Sequence, residues 1–278
     1  MSQTFATLSL DTPHLVGVLN VTPDSFSDGG VDACVADAVQ RGVQMISDGA
    51  SIIDVGGEST RPGAEPITIE EEIDRVRPLI KGLIDKGIPV SLDTRNAAVM
   101  EAGLKAGASI INDVSALTHD PQSSDVIAKY KPSVILMHMQ NTPQTMQNAP
   151  QYTDVVAEVF DYLKTRKQTC LELGLAEHQI CLDVGIGFGK TDDHNTTLLK
   201  NIDHFNKLAP HMMGISRKSF IGRLYNIPAP QDRDTKTAEF TQYGISKGIM
   251  LHRIHNVKAV MEAIQEPAIP QSLLAFPA

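Results

Sequence analysis

The sequence contains no tryptophan, and aromatic residues make up only 5% of its 278 positions. That leaves little from which to build the base-stacking platform of a single-stranded nucleic-acid binder. Positive charge is also in deficit: 24 Lys and Arg stand against 33 Asp and Glu, a formal net charge of −9. Such a chain lacks the extended basic surface that nucleic acid or an anionic membrane requires, although a local basic cluster for a small anion remains compatible. Cysteine is scarce. Cys34, Cys170 and Cys181 are scattered and form no CxxC pair, which speaks against a disulfide framework and a zinc-binding cysteine motif. Isolated thiols fit a reducing compartment, so the expected location is cytoplasmic. No apolar run approaches the ~20 residues of a membrane span, and Met1 to Pro13 lack the basic-then-apolar pattern of a leader.

What the sequence has in abundance is one repeated unit. A helical stretch ends near a glycine, a short apolar run follows, and the run stops at a polar residue. Asp48-Gly49-Ala50-Ser51-Ile52-Ile53-Asp54, Lys86-Gly87-Ile88-Pro89-Val90-Ser91-Leu92-Asp93 and Ala106-Gly107-Ala108-Ser109-Ile110-Ile111-Asn112 are examples. Glycine there fits a left-handed helix C-cap. Apolar runs without strict alternation read as strands buried on both faces, as in a parallel sheet covered by helices. Eight such strands are expected, at residues 14–19, 51–55, 89–92, 109–111, 133–137, 180–182, 212–215 and 249–252. Helical periodicity fills segments such as 35–47, 70–86, 97–105 and 155–173. Eight alternations favour an α/β fold of the (β/α)8 TIM-barrel type above a doubly wound sheet. A barrel needs roughly 250 residues, so one domain over residues 14–265 is expected, with an N-terminal segment at 1–13 and a tail at 266–278.

In such barrels chemistry sits at the C-terminal ends of the strands. Here those ends carry Asn20, Asp54, Asp93, Asn112 with Asp113, His138, Asp183, Ser216-Arg217-Lys218, and Arg253 with His255. Asp93, Asp183 and Asn112 suit a flat heterocycle rich in N–H donors. Lys218, Arg253, His255 and Arg61 suit an oxyanion such as diphosphate. Two long loops, 20–30 and 56–64, are too rich in Gly and Pro for regular structure and are candidate lids. The run Gly185-Ile186-Gly187-Phe188-Gly189-Lys190-Thr191 is neither a Walker A nor a dinucleotide motif. Its glycines serve either a tight turn or a close approach to a flat ligand. Taken alone, Lys218 also fits a Schiff-base lysine, a reading that leaves the two loops unexplained. Residue by residue, His138 reads as a satisfied buried histidine, Arg217 as half of a structural ion pair, and Asp54 and Asp113 as backbone-orienting groups.

The two loops carry a resemblance. Leu19-Asn20-Val21-Thr22-Pro23-Asp24-Ser25-Phe26-Ser27-Asp28-Gly29-Gly30 and Asp54-Val55-Gly56-Gly57-Glu58-Ser59-Thr60-Arg61-Pro62-Gly63 resemble the two signature segments of bacterial dihydropteroate synthases. Asn112-Asp113, Met137-His138-Met139, Asp183, Ser216-Arg217-Lys218-Ser219 and Arg253-Ile254-His255 follow in that family's order. The resemblance covers roughly residues 14–265 and implies a transferase, usually a homodimer, acting in folate biosynthesis. It implies Mg2+-assisted joining of 6-hydroxymethyl-7,8-dihydropterin diphosphate to p-aminobenzoate, with sulfonamides competing at the p-aminobenzoate site. Carried over by motif, Asp93, Asn112, Asp183, Lys218, Met137 and Arg253 would hold the pterin. Asn20 would bind Mg2+ and diphosphate, and Arg61, Arg253 and His255 would hold diphosphate oxygens. Thr60, Pro62, Phe188, Ser219 and Phe26 would shape the p-aminobenzoate site. Asp93, Lys218, Arg253, His255 and Arg61 would be the catalytic set.

Some positions depart from the family's usual pattern. Val184 stands where Pro is usual, Ile186 where Phe is frequent and Asn256 where Asp is common. Lys236 and Glu239 occupy a segment usually built of Gly and small residues. Two other functions share the barrel. A pterin-binding module without catalysis needs no p-aminobenzoate loops. A pterin-dependent methyltransferase would lack the Ser59-Thr60-Arg61-Pro62 and Ser216-Arg217-Lys218-Ser219 segments, which are present.

Overall fold

The computed structural model describes residues 3–21, 30–58 and 67–266, with the backbone alone for 30–33. A hairpin of β1 (Thr4–Phe5) and β2 (Leu8–Ser9) precedes eight strands: β3 (His14–Asn20), β4 (Ala50–Gly56), β5 (Val90–Asp93), β6 (Ile110–Asp113), β7 (Ser133–Met137), β8 (Ile180–Asp183), β9 (Met212–Met213) and β10 (Leu251–Ile254). Between and after them run α1 (Gly30–Ser47), α2 (Ile69–Ile84), α3 (Ala97–Ala106), α4 (Ser123–Tyr130), α5 (Val155–Glu172), α6 (Asp192–Lys200), α7 (Ser219–Tyr225), α8 (Asp234–Ser246) and α9 (Val257–Gln265).

All neighbouring strand pairs in the sheet are parallel, in the spatial order β8-β7-β6-β5-β4-β3-β10-β9. A parallel bridge from Leu182 to His211 joins the two edges. The expected (β/α)8 barrel is therefore present, with its closing seam much narrower than the others.

Local chemistry accounts for the elements. Thr68 and Glu71 form a capping box at the start of α2, and Val76, Leu79, Ile80 and Leu83 bury the helical stripe that follows. Asp154 caps α5 by accepting from the amides of Val156 and Ala157. Gly107 ends α3 at φ 113°, the left-handed cap read from the repeated glycines. Every residue of β5, β6, β7 and β8 is buried, because helices cover one face and the barrel interior the other.

Inward positions follow the period of two. The lower interior layer is apolar: Val16, Ile52, Ile110, Ile135, Cys181, Met212 and Leu251, joined by Phe5 and Leu10 from the N-terminal segment. Phe5 is fully buried there, and the amide of Ala6 donates to the His178 carbonyl at 2.8 Å. The segment that reads as a polar extension thus closes the bottom of the barrel. One buried aromatic in a polar stretch leaves no periodic signal.

Seven of the eight strands differ from their expected bounds by one or two residues at an end, and two of these differences have a local cause. The ladder expected at 212–215 ends at Met213, where Gly214 opens onto the Asp183 carboxylate. The strand expected at 249–252 starts two residues later, because the Ile249 amide still bonds back to Gly244 at the end of α8. Arg253 consequently points from within the strand. Among the described residues no helix is long and apolar enough to cross a membrane.

Candidate active site

One step above the apolar layer, the same inward faces turn polar. Ile52, Ser91, Ile110, Cys181 and Leu251 are followed two residues later by Asp54, Asp93, Asn112, Asp183 and Arg253. At the matching positions β7 offers Met137, and β9 is followed by Gly214. Asp93, Asn112, Met137, Asp183, Gly214 and Arg253 line one cavity of about 580 Å3 at this end of the barrel. Asn20, Phe188, Lys218, Ser219 and His255 line it too. Of the strand-end residues expected to meet at one mouth, Asn20, Asp93, Asn112, Asp183, Ser216, Arg217, Lys218, Arg253 and His255 line it, whereas Asp54, Asp113 and His138 do not. Phe26, Thr60, Arg61 and Pro62 lie outside the described residues, so the structure says nothing of their placement.

The floor of the cavity carries alternating charge. The Arg253 guanidinium donates from Nε to Asp54 Oδ2 at 2.6 Å and from Nη2 to Asp93 Oδ2 at 2.8 Å. Asn112 Nδ2 donates to the same Asp54 oxygen at 3.0 Å. Asp54 is fully buried, and what it orients is two cavity-lining side chains, where the sequence pointed to backbone. Asp113 does bind backbone, accepting from the amides of Ser115 and Leu117. Burial pushes the Asp93 carboxyl up to about 7, with Arg253 opposing and Asp54 adding to the rise. Asp93 Oδ1 is buried and has no donor among the described residues. The Asp183 carboxyl is raised by burial, against the pull of Lys218. One of its oxygens accepts from the Gly185 amide at 2.7 Å.

The opposite wall is cationic and aromatic. Burial lowers Lys218 to about 8, against Asp183. Its Nζ donates to the Ile186 carbonyl and stands 4.5 Å from the centre of the Phe188 ring. His255 is held at the rim by Ser216, whose Oγ lies 3.1 Å from the His255 amide and 3.0 Å from Nδ1.

A family profile described as "Pterin binding enzyme" matches residues 16–255. A dihydropteroate synthase of Escherichia coli (strain K12) is 43% identical over 262 residues, covering 93% of this chain and 92% of its own length. The chain belongs to the dihydropteroate synthase family. It is an enzyme, a transferase. Among solved structures, a Yersinia pestis dihydropteroate synthase in a sulfonamide drug complex superimposes with a TM-score of 0.87 at 39% identity, over 95% of this chain and 97% of that one. A Xanthomonas albilineans dihydropteroate synthase in complex with 7,8-dihydropteroate gives 0.83 at 37% identity, over 97% of each chain.

Against the usual pattern of dihydropteroate synthases, the departures have local partners. Asn256 caps α9 and donates from Nδ2 to Asp234 Oδ2 at 2.7 Å, where an Asp would set two carboxylates against each other. Asp234 in turn receives Arg217 through two bonds of 2.6 and 2.7 Å, the ion pair expected of Arg217. Lys236 pairs with Glu239 at 2.7 Å and lies over the Tyr225 ring. Val184 and Ile186 are buried in the main core.

The sequence did not single out the Glu58–Arg95 pair at 3.3 Å, nor Met146 and Gln231 on the cavity wall. Glu58 sits inside a quoted motif, so the motif was its only signal. Arg95 follows the end of β5 by two residues, masked by the neighbouring Asp93, and Met146 and Gln231 lie away from strand ends, where no local pattern marks them.

Proposed function

We propose that this dihydropteroate synthase family member condenses 6-hydroxymethyl-7,8-dihydropterin diphosphate with p-aminobenzoate, giving 7,8-dihydropteroate and diphosphate. The observation that carries the proposal is the convergence of Asp93, Asn112 and Asp183 with Lys218, Arg253 and His255 in one cavity. Carboxylates and an amide match the N–H donors of a pterin. Cations match an anionic leaving group. The solved relatives bound to a sulfonamide and to 7,8-dihydropteroate carry ligands of the same chemistry.

Asp93 Oδ1, Asp183 and Asn112 would orient the ring, with Met137 packed beside it. Arg253 would hold ring and diphosphate together from its place between Asp54 and Asp93. His255 and Asn20 would take diphosphate oxygens, and Arg61 would join them. Phe188, Ser219, Thr60, Pro62 and Phe26 would enclose the p-aminobenzoate.

Asn20 presents a neutral, hard side-chain oxygen at the end of β3, on the cavity wall. One such ligand suits Mg2+, which takes few protein ligands when phosphate oxygens supply the rest. When bound there, Mg2+ supplies neutralisation of the diphosphate charge. Departure of diphosphate leaves positive charge on the exocyclic carbon, spread into the ring. The Asp93 carboxylate would stabilise that charge. The aryl amine is neutral near pH 7 and attacks with its lone pair, so positioning outweighs proton abstraction. A cytoplasmic location, consistent with the free thiols of Cys34, Cys170 and Cys181, and a homodimer belong to the same reading.

The deciding assay follows diphosphate release and dihydropteroate formation with Mg2+, with and without p-aminobenzoate. Release coupled to dihydropteroate formation and inhibited by a sulfonamide is the expected result. Pterin binding without diphosphate release in the presence of the amine would instead leave a binding module.

A further inference from the structure

Residues 185–189 follow β8 and contain no helix or strand, yet each of their carbonyls is bonded. Gly185 accepts from the Phe188 amide at 3.1 Å, and Ile186 accepts from Lys218. The next three carbonyls are held by side chains from outside the cavity. Gln147 Nε2 donates to Gly187 at 2.7 Å, Lys190 Nζ to Phe188 at 2.9 Å and the Tyr152 hydroxyl to Gly189 at 2.8 Å.

Such anchoring answers a cost. Gly185, Gly187 and Gly189 have φ of 68°, 82° and 60°, and glycine-rich backbone loses the most freedom on ordering. Lys190 is a more expensive anchor, being 1% exposed. Burial of an ammonium is tolerated when its donors are bonded. Besides Phe188, Lys190 Nζ reaches His138 Nδ1 at 2.9 Å and the His138 carbonyl at 3.3 Å, so three polar partners surround an amine whose pKa burial pushes well below the usual lysine value. Burial lowers His138 to about 2, so its ring is neutral, and in the tautomer protonated at Nε2 its Nδ1 accepts from Lys190. Within the anchored stretch, the Phe188 side chain reaches the cavity, against Lys218.

We propose that Gln147, Tyr152 and Lys190 are positioning residues for the amine substrate, holding the carbonyls of Phe188 and of the glycines on either side so that its ring stays against Lys218 as a wall for p-aminobenzoate. This rests on the proposed function. The pterin-facing Asp93, Asn112 and Asp183 sit on β5, β6 and β8, whose places the sheet sets. Gly185, which bonds Asp183, is fixed separately: its backbone lies so close to the His138 carbonyl that a Cβ has no room. Loosening Gln147 or Tyr152, neither of which donates to the His138 carbonyl, therefore acts on one substrate and spares the other.

Gln147→Ala alters an exposed side chain, and Tyr152→Phe removes one hydroxyl, so neither endangers the fold. Each is expected to raise the KM for p-aminobenzoate about 3- to 10-fold, the worth of one hydrogen bond. The kcat and the Kd for the pterin diphosphate should stay within about twofold, a split that general destabilisation would not produce. Amide exchange at Gly187 and Phe188 should accelerate in both variants. An unchanged amine KM, or equal weakening of both substrates, overturns the proposal. If the unsubstituted protein forms no dihydropteroate, the functional reading fails instead. Amide exchange then decides the anchoring alone, and unchanged exchange in both variants overturns it.

Discussion

Asp54 Oδ2 serves two partners of different chemistry, the Asn112 amide at 3.0 Å and the Arg253 guanidinium at 2.6 Å. A buried carboxylate so placed orients an amide and a cation of the cavity at once. Removing one member of a buried ion pair costs about 3–5 kcal/mol. Asp54→Asn should therefore lower stability by an amount of that order in urea titration and weaken pterin binding. Unchanged binding would show that Arg253 and Asn112 hold their places without it. Asp93 makes a pH statement. With its pKa raised to about 7, acidification from pH 8 protonates the group that would stabilise the cation. The kcat/KM for the pterin substrate should then fall towards about tenfold per pH unit below pH 7. In stability the sign is opposite. The folded state holds the extra proton between the usual carboxylate range and about 7, so the contribution of Asp93 is fully present at low pH and lost as pH rises through 7. Asp93→Asn should abolish the acid limb of the rate profile; a limb that persists would assign it elsewhere.

The β1–β2 hairpin shows how an element outside the barrel repeat completes its core. Without Phe5, the lower layer of Val16, Ile52, Ile135 and Leu251 would lose its apolar cover. Phe5→Ala should cost about 3–5 kcal/mol, as large-to-small core changes do. The urea midpoint should drop at unchanged slope, while activity per folded molecule stays the same. A change in substrate KM would mean that the hairpin communicates with the far end of the barrel. At the start of α5, Asp154 bonds two free amides, and Asp154→Ala should cost about 1 kcal/mol. Elements of this sort were largely legible in the sequence. Gly107 and the other glycines mark helix ends through a local backbone preference, and the strands show as short apolar runs. The hairpin was not legible, because Phe5 gains its meaning from side chains that arrive on other strands. The closing strand was overextended for a related reason, since Gly214 leaves the ladder beside Asp183 and not through any preference of its own.

At the scale of the molecule, strength is uneven around the barrel. β3 and β4 pair over six positions, whereas β9 meets β10 over two and β8 through a single bridge. Seams with few hydrogen bonds open first. Amides near β9 should exchange faster than those of β4 in native-state hydrogen exchange, and equal protection would mean that the barrel opens as one unit. The cavity-lining residues at or just past the strand ends, Asp93, Asn112, Asp183, Lys218 and His255, could be named from the chain alone, because the apolar runs stop at or just before them and the barrel rule turns those ends to one mouth. Their pairings could not. Arg253 reads as a rim cation for phosphate, yet it reaches across 199 and 160 positions of chain to Asp54 and Asp93. Lys190 follows a glycine-rich run that invites a phosphate, yet it is turned into the interior to hold Phe188. Backbone preference and side-chain type act between near neighbours, so the order of elements and the kind of group at each strand end are written in the linear order of residues. Which charge meets which carboxylate, and which side of a loop a lysine faces, depends on closure of eight strands around a shared interior, and distant segments become neighbours only after that closure.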